Sequence, residues 1–429
     1  MRFSEPLEID MMQLEHYSKK ASKLIDYPED SGRDEQKQSD ERVRLILSST
    51  QDSRVLRGLI LSAGRDASNV DMEHEKRIEA VDILRAVIQS DQVTAGILRD
   101  ISLSVATIIN NMRLPEGERL NGMDVMKQII FSPQVGSILL RDLVVTIRDT
   151  VIRSSMSSEI QKQAISTLQM IAESPKSNSG VLREVLSSIG YSFRHATLDG
   201  KEHKHLIQLM EIVIASENAD ALVLCSIPKI LKEALLSGLF KDDNTTLWSV
   251  YRGIITSVHV TESVLEEAVF SLENIVHNSE NIEKDWGIFI DLGKNLLVNP
   301  VITGNVLYRV IDSLGNLFKE QKLPERALGD ILLLFQEIAI STKLENSTLY
   351  KMIDVIEAFL MIDNLDAIEW SSLVMILQAI WYMKLTDKGL YYKIESAYGR
   401  LRKKYPERAN QLHLSRWRRL WGRICIWKG

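Results

Sequence analysis

Four arginines stand at one fixed interval in the 429-residue chain: Arg57, Arg99, Arg141 and Arg183, each forty-two positions after the last. A row of guanidinium forks suits carboxylates and other anions. A second use is written beside it. Arg99, Arg141 and Arg183 are each followed by an acid, Asp100, Asp142 and Glu184, so the arginine of one repeat can pair with the acid of the next. That internal ion-pair ladder is the simpler expectation, with anion binding as the alternative. The same column runs on through Cys225 and Glu266 to Tyr308, Tyr350 and Tyr391. These tyrosines precede Asp312, Asp354 and Glu395 by four residues, which is hydrogen-bonding reach on one helix face. Descent from a common repeat explains their recurrence equally well.

Catalytic patterns are missing from the sequence. It contains no GxxxxGK[ST] phosphate loop, GxGxxG turn, GxSxG elbow, HExxH pair or CxxC. His203 and His205 lie two residues apart and point in different directions on a helix, a poor arrangement for metal. They are expected to be exposed at a helix start. Cys225 follows an aliphatic repeat position and is expected to pack rather than react. No catalytic, metal or cofactor-binding residue is assigned, no cofactor is expected, and the chain is expected not to be an enzyme.

The end of the chain has its own chemistry. Residues 400–429 hold ten basic residues against Glu407, a net charge of +9. The rest of the chain carries 42 basic and 57 acidic groups, −15, for −6 in total. Between Leu414 and Lys428 a helical wheel gathers Trp417, Leu420, Trp421, Ile424, Cys425 and Trp427 on one side. Arg416, Arg418, Arg419 and Arg423 lie outside that arc. Such a segment can cap the last repeat, enter a partner's groove, lie on an anionic membrane, or bind nucleic acid. Arg416, Trp417, Arg419, Trp421, Arg423 and Trp427 are its candidate anchors.

The elements that must position these residues follow from a leucine register. Leu14, Leu56, Leu98, Leu140, Leu182, Leu224, Leu265, Leu307, Leu349 and Leu390 follow one another at steps of forty-one or forty-two positions. A period of this size specifies a stack of identical supersecondary units. Apolar residues stand seven positions after each leucine and, in the eight middle units, three positions after it, one stripe of an α-helix. A second stripe begins seventeen positions before the leucines, at Val81, Met123, Ile165, Ile207, Trp248, Ile290, Leu332 and Leu373. Three residues further on stand Leu84, Met126, Leu168, Met210, Tyr251, Gly293, Phe335 and Ile376, a pattern that only Gly293 breaks. Each unit is therefore a helical hairpin. The first helix of each ends on Ser90, Ser132, Ser174, Ser216, Ser257, Asn299 or Ser341, small polar residues that stop a helix and start a turn. The stretches 114–121, 198–202, 241–245 and 320–324 read as polar connections.

In period, in two helices per unit and in aliphatic spacing, residues from about 40 to 403 resemble the HEAT and armadillo class of α-solenoids. The expectation is an all-α, right-handed α-solenoid of about nine 42-residue helical hairpins. The domain order is an N-terminal helix (1–26), an acidic polar linker (27–40), the repeat domain (41–403) and a basic, Trp-rich C-terminal helix (404–429).

Composition agrees, with 45% hydrophobic residues and only 30 Gly and Pro together. Two cysteines and the absence of a secretory leader point to the cytoplasm. The function expected is a non-catalytic scaffold or adaptor that binds a protein partner along an extended surface. The alternatives are a membrane-peripheral adaptor anchored by the C-terminal helix, and a nucleic-acid-binding solenoid. The candidate surface is Arg57, Arg99, Arg141, Arg183, Tyr308, Tyr350 and Tyr391.

Overall fold

The computed structural model describes residues 53–152, 156–196, 198–236, 245–278, 282–319, 327–341, 344–361, 367–383 and 387–408. The expected N-terminal helix and acidic linker, and nearly all of the expected C-terminal helix, lie outside the described residues. The chain divides into two compact units, Met1–Ala219 and Asp220–Gly429.

In the first unit the described elements are α1 (Ser53–Ser68), α2 (His74–Ile88), α3 (Ala95–Asn110), α4 (Glu116–Phe131), α5 (Ser137–Ile152), α6 (Ser158–Glu173), α7 (Ser179–His195) and α8 (Gly200–Ala215). The second contains α9 (Ala221–Leu236), α10 (Thr245–Thr256), α11 (Glu262–Asn278), α12 (Ile282–Val298), α13 (Gly304–Lys319), α14 (Ala327–Ala339), α15 (Asn346–Phe359), α16 (Ala367–Met383) and α17 (Lys388–Lys404). Among the described residues every element is a helix. Within each unit an odd-numbered helix packs on the next odd-numbered one, and an even-numbered helix on the next even-numbered one. Two layers of helical hairpins stacked in chain order are the α-solenoid construction of the HEAT and armadillo class.

The leucine register is the core of the odd layer. Leu56, Leu98, Leu140, Leu182, Leu224, Leu265, Leu307, Leu349 and Leu390 are all at most 1% exposed. The even layer buries the second stripe, from Val81 and Met123 to Leu332 and Leu373. Burying one such side chain stabilises by about 1.5–3 kcal/mol, so cohesion is supplied at every step of the repeat rather than in one central core. Gly293, the one gap in that stripe, marks close packing. A Cβ there would sit 3.0 Å from Leu334 Cδ2, so glycine lets α12 approach α14 without displacing that leucine.

The repeated turn is built by its polar residue. Ser132, Ser174, Ser216 and Ser257 each accept, through Oγ, the amide two residues on, from Gln134, Lys176, Asn218 and His259 at 3.3–3.4 Å. Asn299 does the same for Val301 through Oδ1 at 2.8 Å. The carbonyls of Ser132, Ser174, Ser216, Ser257 and Asn299 then accept the amides of Val135, Ser177, Ala219, Val260 and Ile302. Local side-chain bonds of this kind compete with the helix and end it.

Two of the expected polar connections are instead helical. α4 starts at Glu116 and α8 at Gly200, so 116–121 and 200–202 form first turns. Asp199 and Glu202 close a capping box on α8, which satisfies two orphan amides reciprocally. In α4, Glu118 and Arg119 are buried and bonded, which the polar composition of the stretch conceals.

Candidate protein-interaction surface

The arginine column lies on the odd helices of the first unit, one residue past each core leucine. Arg57 Nε pairs with Asp100 at 3.1 Å, Arg99 Nε with Asp142 at 3.4 Å, and Arg141 Nε with Glu184 at 3.7 Å. Each bond runs from one odd helix to the next, between residues forty-three positions apart. The expected ladder is present. Its arginines remain 56%, 65% and 63% exposed along their side chains, so the acids orient the guanidinium groups without covering them.

The ladder ends at Arg183. The residue forty-three positions beyond it is Ser226, not an acid. Arg183 is exposed, and its Nε donates to the Ser179 carbonyl of its own helix at 3.4 Å. Nearby chemistry is crowded with guanidinium. Glu184 takes Arg148 Nη1 at 3.2 Å as well as Arg141. Arg148 and Arg194 place their Cζ atoms 5.2 Å and 5.1 Å from the Tyr191 ring centroid, the range of cation–π attraction. Tyr191 is 41% exposed. Arg141 and Arg148 thus share Glu184, and Arg148 also reaches Asp149 at 3.4 Å.

Next to the arginines runs an apolar row. Four residues after Arg57 and Arg99 come Leu61 and Leu103, 47% and 62% exposed; Val145 holds the same place after Arg141 and is half-buried. Spacing of four puts each pair on one face of its helix. The N-terminal unit therefore presents alternating guanidinium and aliphatic groups at the repeat interval.

In the second unit the column changes chemistry. Lys351 of α15 pairs with Asp312 of α13 and lies 5.7 Å from the Tyr308 ring centroid. One step on, Lys393 of α17 pairs with Asp354 of α15 and lies 5.4 Å from the Tyr350 ring. Tyrosine and carboxylate four residues apart do share a face, but what joins them is a lysine forty-three positions beyond the tyrosine. The Tyr350 hydroxyl donates to Asp387 Oδ1 at 3.1 Å rather than to Asp354. Burial and the neighbouring Asp387 raise the Tyr350 pKa. Tyr391 packs its ring 5.0 Å from Trp381 and 5.6 Å from Tyr392.

A third column, Arg77, Arg119, Gln161 and His203, also keeps the step of the arginine ladder and is buried throughout. Arg119 Nε donates to the Ile109 carbonyl at 2.9 Å, and Gln161 Nε2 to the Val151 carbonyl at 3.1 Å. Each closes the end of the preceding odd helix, whose last carbonyls lack partners within the helix. Only its spacing betrays this column in the sequence, because its chemical type changes along the chain. His203 differs from expectation: it is 5% exposed, not a surface residue, and stacks on Phe193 at 5.9 Å and 12°. Desolvation lowers its pKa. His205 is exposed as expected.

The proposed tail anchors Arg416, Trp417, Arg419, Trp421, Arg423 and Trp427 lie outside the described residues. Among the described residues no group of three His, Cys, Asp or Glu side chains is placed to hold a metal, and no helix is long and apolar enough to cross a membrane.

No protein-family profile matches the chain, and no curated protein sequence does. Solved structures do show similarity. An engineered protein matches at 14% identity over 87% of this chain and 96% of its own, with a TM-score of 0.31. A mutant of Kap121p matches at 12% identity and a TM-score of 0.31 over 94% of this chain, which spans 46% of the Kap121p chain. A structure concerning the interaction between cadherin and beta-catenin matches at 10% identity and a TM-score of 0.27, over 94% of this chain and 97% of its own. At these identities and scores the likeness concerns helical construction alone.

Proposed function

We propose that the chain is a non-catalytic adaptor that holds a protein partner along the exposed ridge of its odd-numbered helices, in a reducing compartment such as the cytoplasm. The observation that carries this reading is the ridge of the first unit. Arg57, Arg99 and Arg141 are held by acids yet left open, beside exposed Leu61 and Leu103. Interfaces gain most from a few such anchors, arginine and large side chains above all, set among contacts that only exclude water. Arg183 and the guanidinium-flanked Tyr191 both lie on α7, the last odd-numbered helix of the first unit. Bidentate hydrogen bonds from arginine favour a partner that presents carboxylates there.

The basic segment 404–429 supports the second reading, attachment to an anionic membrane or nucleic acid, through the basic charge at the chain end and its tryptophans. Nuclease-treated affinity purification from native cells separates the two, with proteins read by mass spectrometry alongside lipid and nucleic-acid content. Three full-length chains are compared: the native one, a Leu61→Glu/Leu103→Glu/Arg183→Glu variant, and a Trp417→Ala/Trp421→Ala variant. The adaptor reading expects one protein partner that is lost with the ridge variant and kept by the tail variant. Loss with the tail variant alone would transfer the function to residues 404–429.

A further inference from the structure

A separate cavity of about 460 Å³ opens between two successive turns of the first unit, the one that follows α2 and the one that follows α4. Its apolar wall includes Ile88, Val93 and Phe131, and Phe131 is 72% exposed. Its polar lining includes Gln128, Asp91 and Ser90. The cavity contains one acid and no basic residue. Gln128 Oε1 is buried and has no hydrogen-bond partner. An acceptor in that state costs free energy until a donor reaches it.

The next step of the repeat shows what such a place holds. There Lys176 extends from the following turn and donates through Nζ to the Ser132 carbonyl at 3.0 Å and the Pro133 carbonyl at 2.7 Å. The Ser132 carbonyl already accepts the Val135 amide, so the ammonium takes its second lone pair. Moved back by one repeat, the two acceptors become the carbonyls of Ser90 and Asp91, and Lys176 becomes Gln134. The Ser90 carbonyl likewise accepts the Val93 amide. Gln134 is exposed, and among the described residues no hydrogen bond joins its side chain to either carbonyl. The Asp91 carboxylate adds a negative charge that the Lys176 step lacks, since Pro133 stands in its place.

We propose that this cavity receives a lysine side chain from a protein partner. The ammonium meets the Ser90 and Asp91 carbonyls and the Asp91 carboxylate, and the Gln128 amide oxygen lies deeper. The Phe131 ring covers the methylene stem and faces the charge, as aromatic faces do for ammonium groups. The volume lies within the range of small ligand sites. This inference rests on the adaptor reading for the existence of a protein partner, but the site is distinct from the arginine ridge, so the two fail separately.

The probe is the blocked pentapeptide acetyl-Gly-Gly-Lys-Gly-Gly-amide, with norleucine in place of lysine as control. It is titrated into the full chain carrying ¹³C-labelled isoleucine methyls, with the Ile88 signal assigned through Ile88→Val. The expected result is a saturable shift of Ile88 with the lysine peptide and about tenfold weaker binding of the norleucine peptide, the worth of one charge-assisted hydrogen bond. Gln134→Lys supplies the missing lysine internally, as Lys176 does one step on, and should weaken the peptide by about tenfold or more without lowering the melting temperature. Equal binding of the two peptides, an unchanged affinity in Gln134→Lys, or no Ile88 shift at peptide saturation overturns the proposal. If the peptide fails while the ridge variant still loses its protein partner, this inference falls and the adaptor reading stands.

Discussion

Arg77 of α2 and Glu118 of α4 face each other through two parallel hydrogen bonds of 2.8 Å, Nε to Oε2 and Nη2 to Oε1, at 9% and 4% residue exposure. His74 Nδ1 adds a third contact to Oε1 at 2.6 Å. The bond to Arg77 is the largest influence holding the Glu118 carboxyl below the usual carboxylate range. Removing one partner leaves the other charge buried, a loss of about 3–5 kcal/mol. Glu118→Leu should lower the unfolding free energy by that amount in urea titration at neutral pH, whereas Arg77→Leu/Glu118→Leu should recover much of it. A double variant as unstable as the single one would show that packing rather than charge dominates the site.

The same residue sets an acid limb. A carboxyl whose pKa is depressed by folding stabilises fully above its unfolded value, and that stability is lost as pH falls through the folded one. His203, lowered by desolvation, acts in the same direction at higher pH. It is neutral in the folded state, and the unfolded chain takes up its proton first. Stability should therefore decline in two windows, first below the ordinary histidine value and again below the ordinary carboxylate value. Melting temperatures followed from neutral to acid pH should show His203→Phe flattening the first decline and Glu118→Gln the second. Unchanged slopes in both variants would dismiss these two groups as the source.

The exposed ladder is energetically different from that buried pair. Arg99 and Asp142 are 65% and 43% exposed along their side chains, where water and salt screen an ion pair. A double-mutant cycle with Arg99→Ala and Asp142→Ala should give a coupling of about 0.2–1 kcal/mol, shrinking as salt is added. A coupling above about 2 kcal/mol would make the column a stability device and weaken its case as a binding surface.

Much of this was legible from spacing alone. The leucine register located all nine described core leucines, because burial repeats in every unit and apolar character is kept at each step. The Arg57–Asp100, Arg99–Asp142 and Arg141–Glu184 pairs were legible because both partners recur in the sequence. The Arg77, Arg119, Gln161 and His203 column was not, since four side chains perform related packing and capping with different groups. Lys351 and Lys393 were missed for a geometric reason. The register step between Leu349 and Leu390 is one position shorter than the step before it, which moves Lys393 out of the column that contains Lys351. Both lysines nevertheless reach the tyrosine of the preceding odd helix. The break at Gly293 carried information that a hydrophobicity pattern reads as noise.

Core register has a direct test. Leu182 is fully buried in α7, and Leu182→Ala should cost about 2–5 kcal/mol, the lost transfer energy plus the cavity left behind. Urea titration gives the number. A cost below about 1 kcal/mol would mean that the leucine column does not form the core of the odd layer.

Glycines give opposite expectations at two places in the second unit. At Gly315 a Cβ would lie 2.7 Å from Val355 Cγ2 and 3.7 Å from its Cγ1, so α13 and α15 approach over a hydrogen atom. Gly315→Ala must push Val355 or separate the helices, at about 1–3 kcal/mol. At Gly399, inside α17, a Cβ would meet nothing within 4 Å. There alanine only removes backbone freedom from the unfolded chain, and Gly399→Ala should stabilise by about 0.5–1 kcal/mol. Thermal melts of the two variants, side by side, read the contrast as opposite shifts in melting temperature. If Gly315→Ala is neutral, the close approach of α13 and α15 is not a constraint on the repeat. Spacing between odd helices would then be set by the leucines alone.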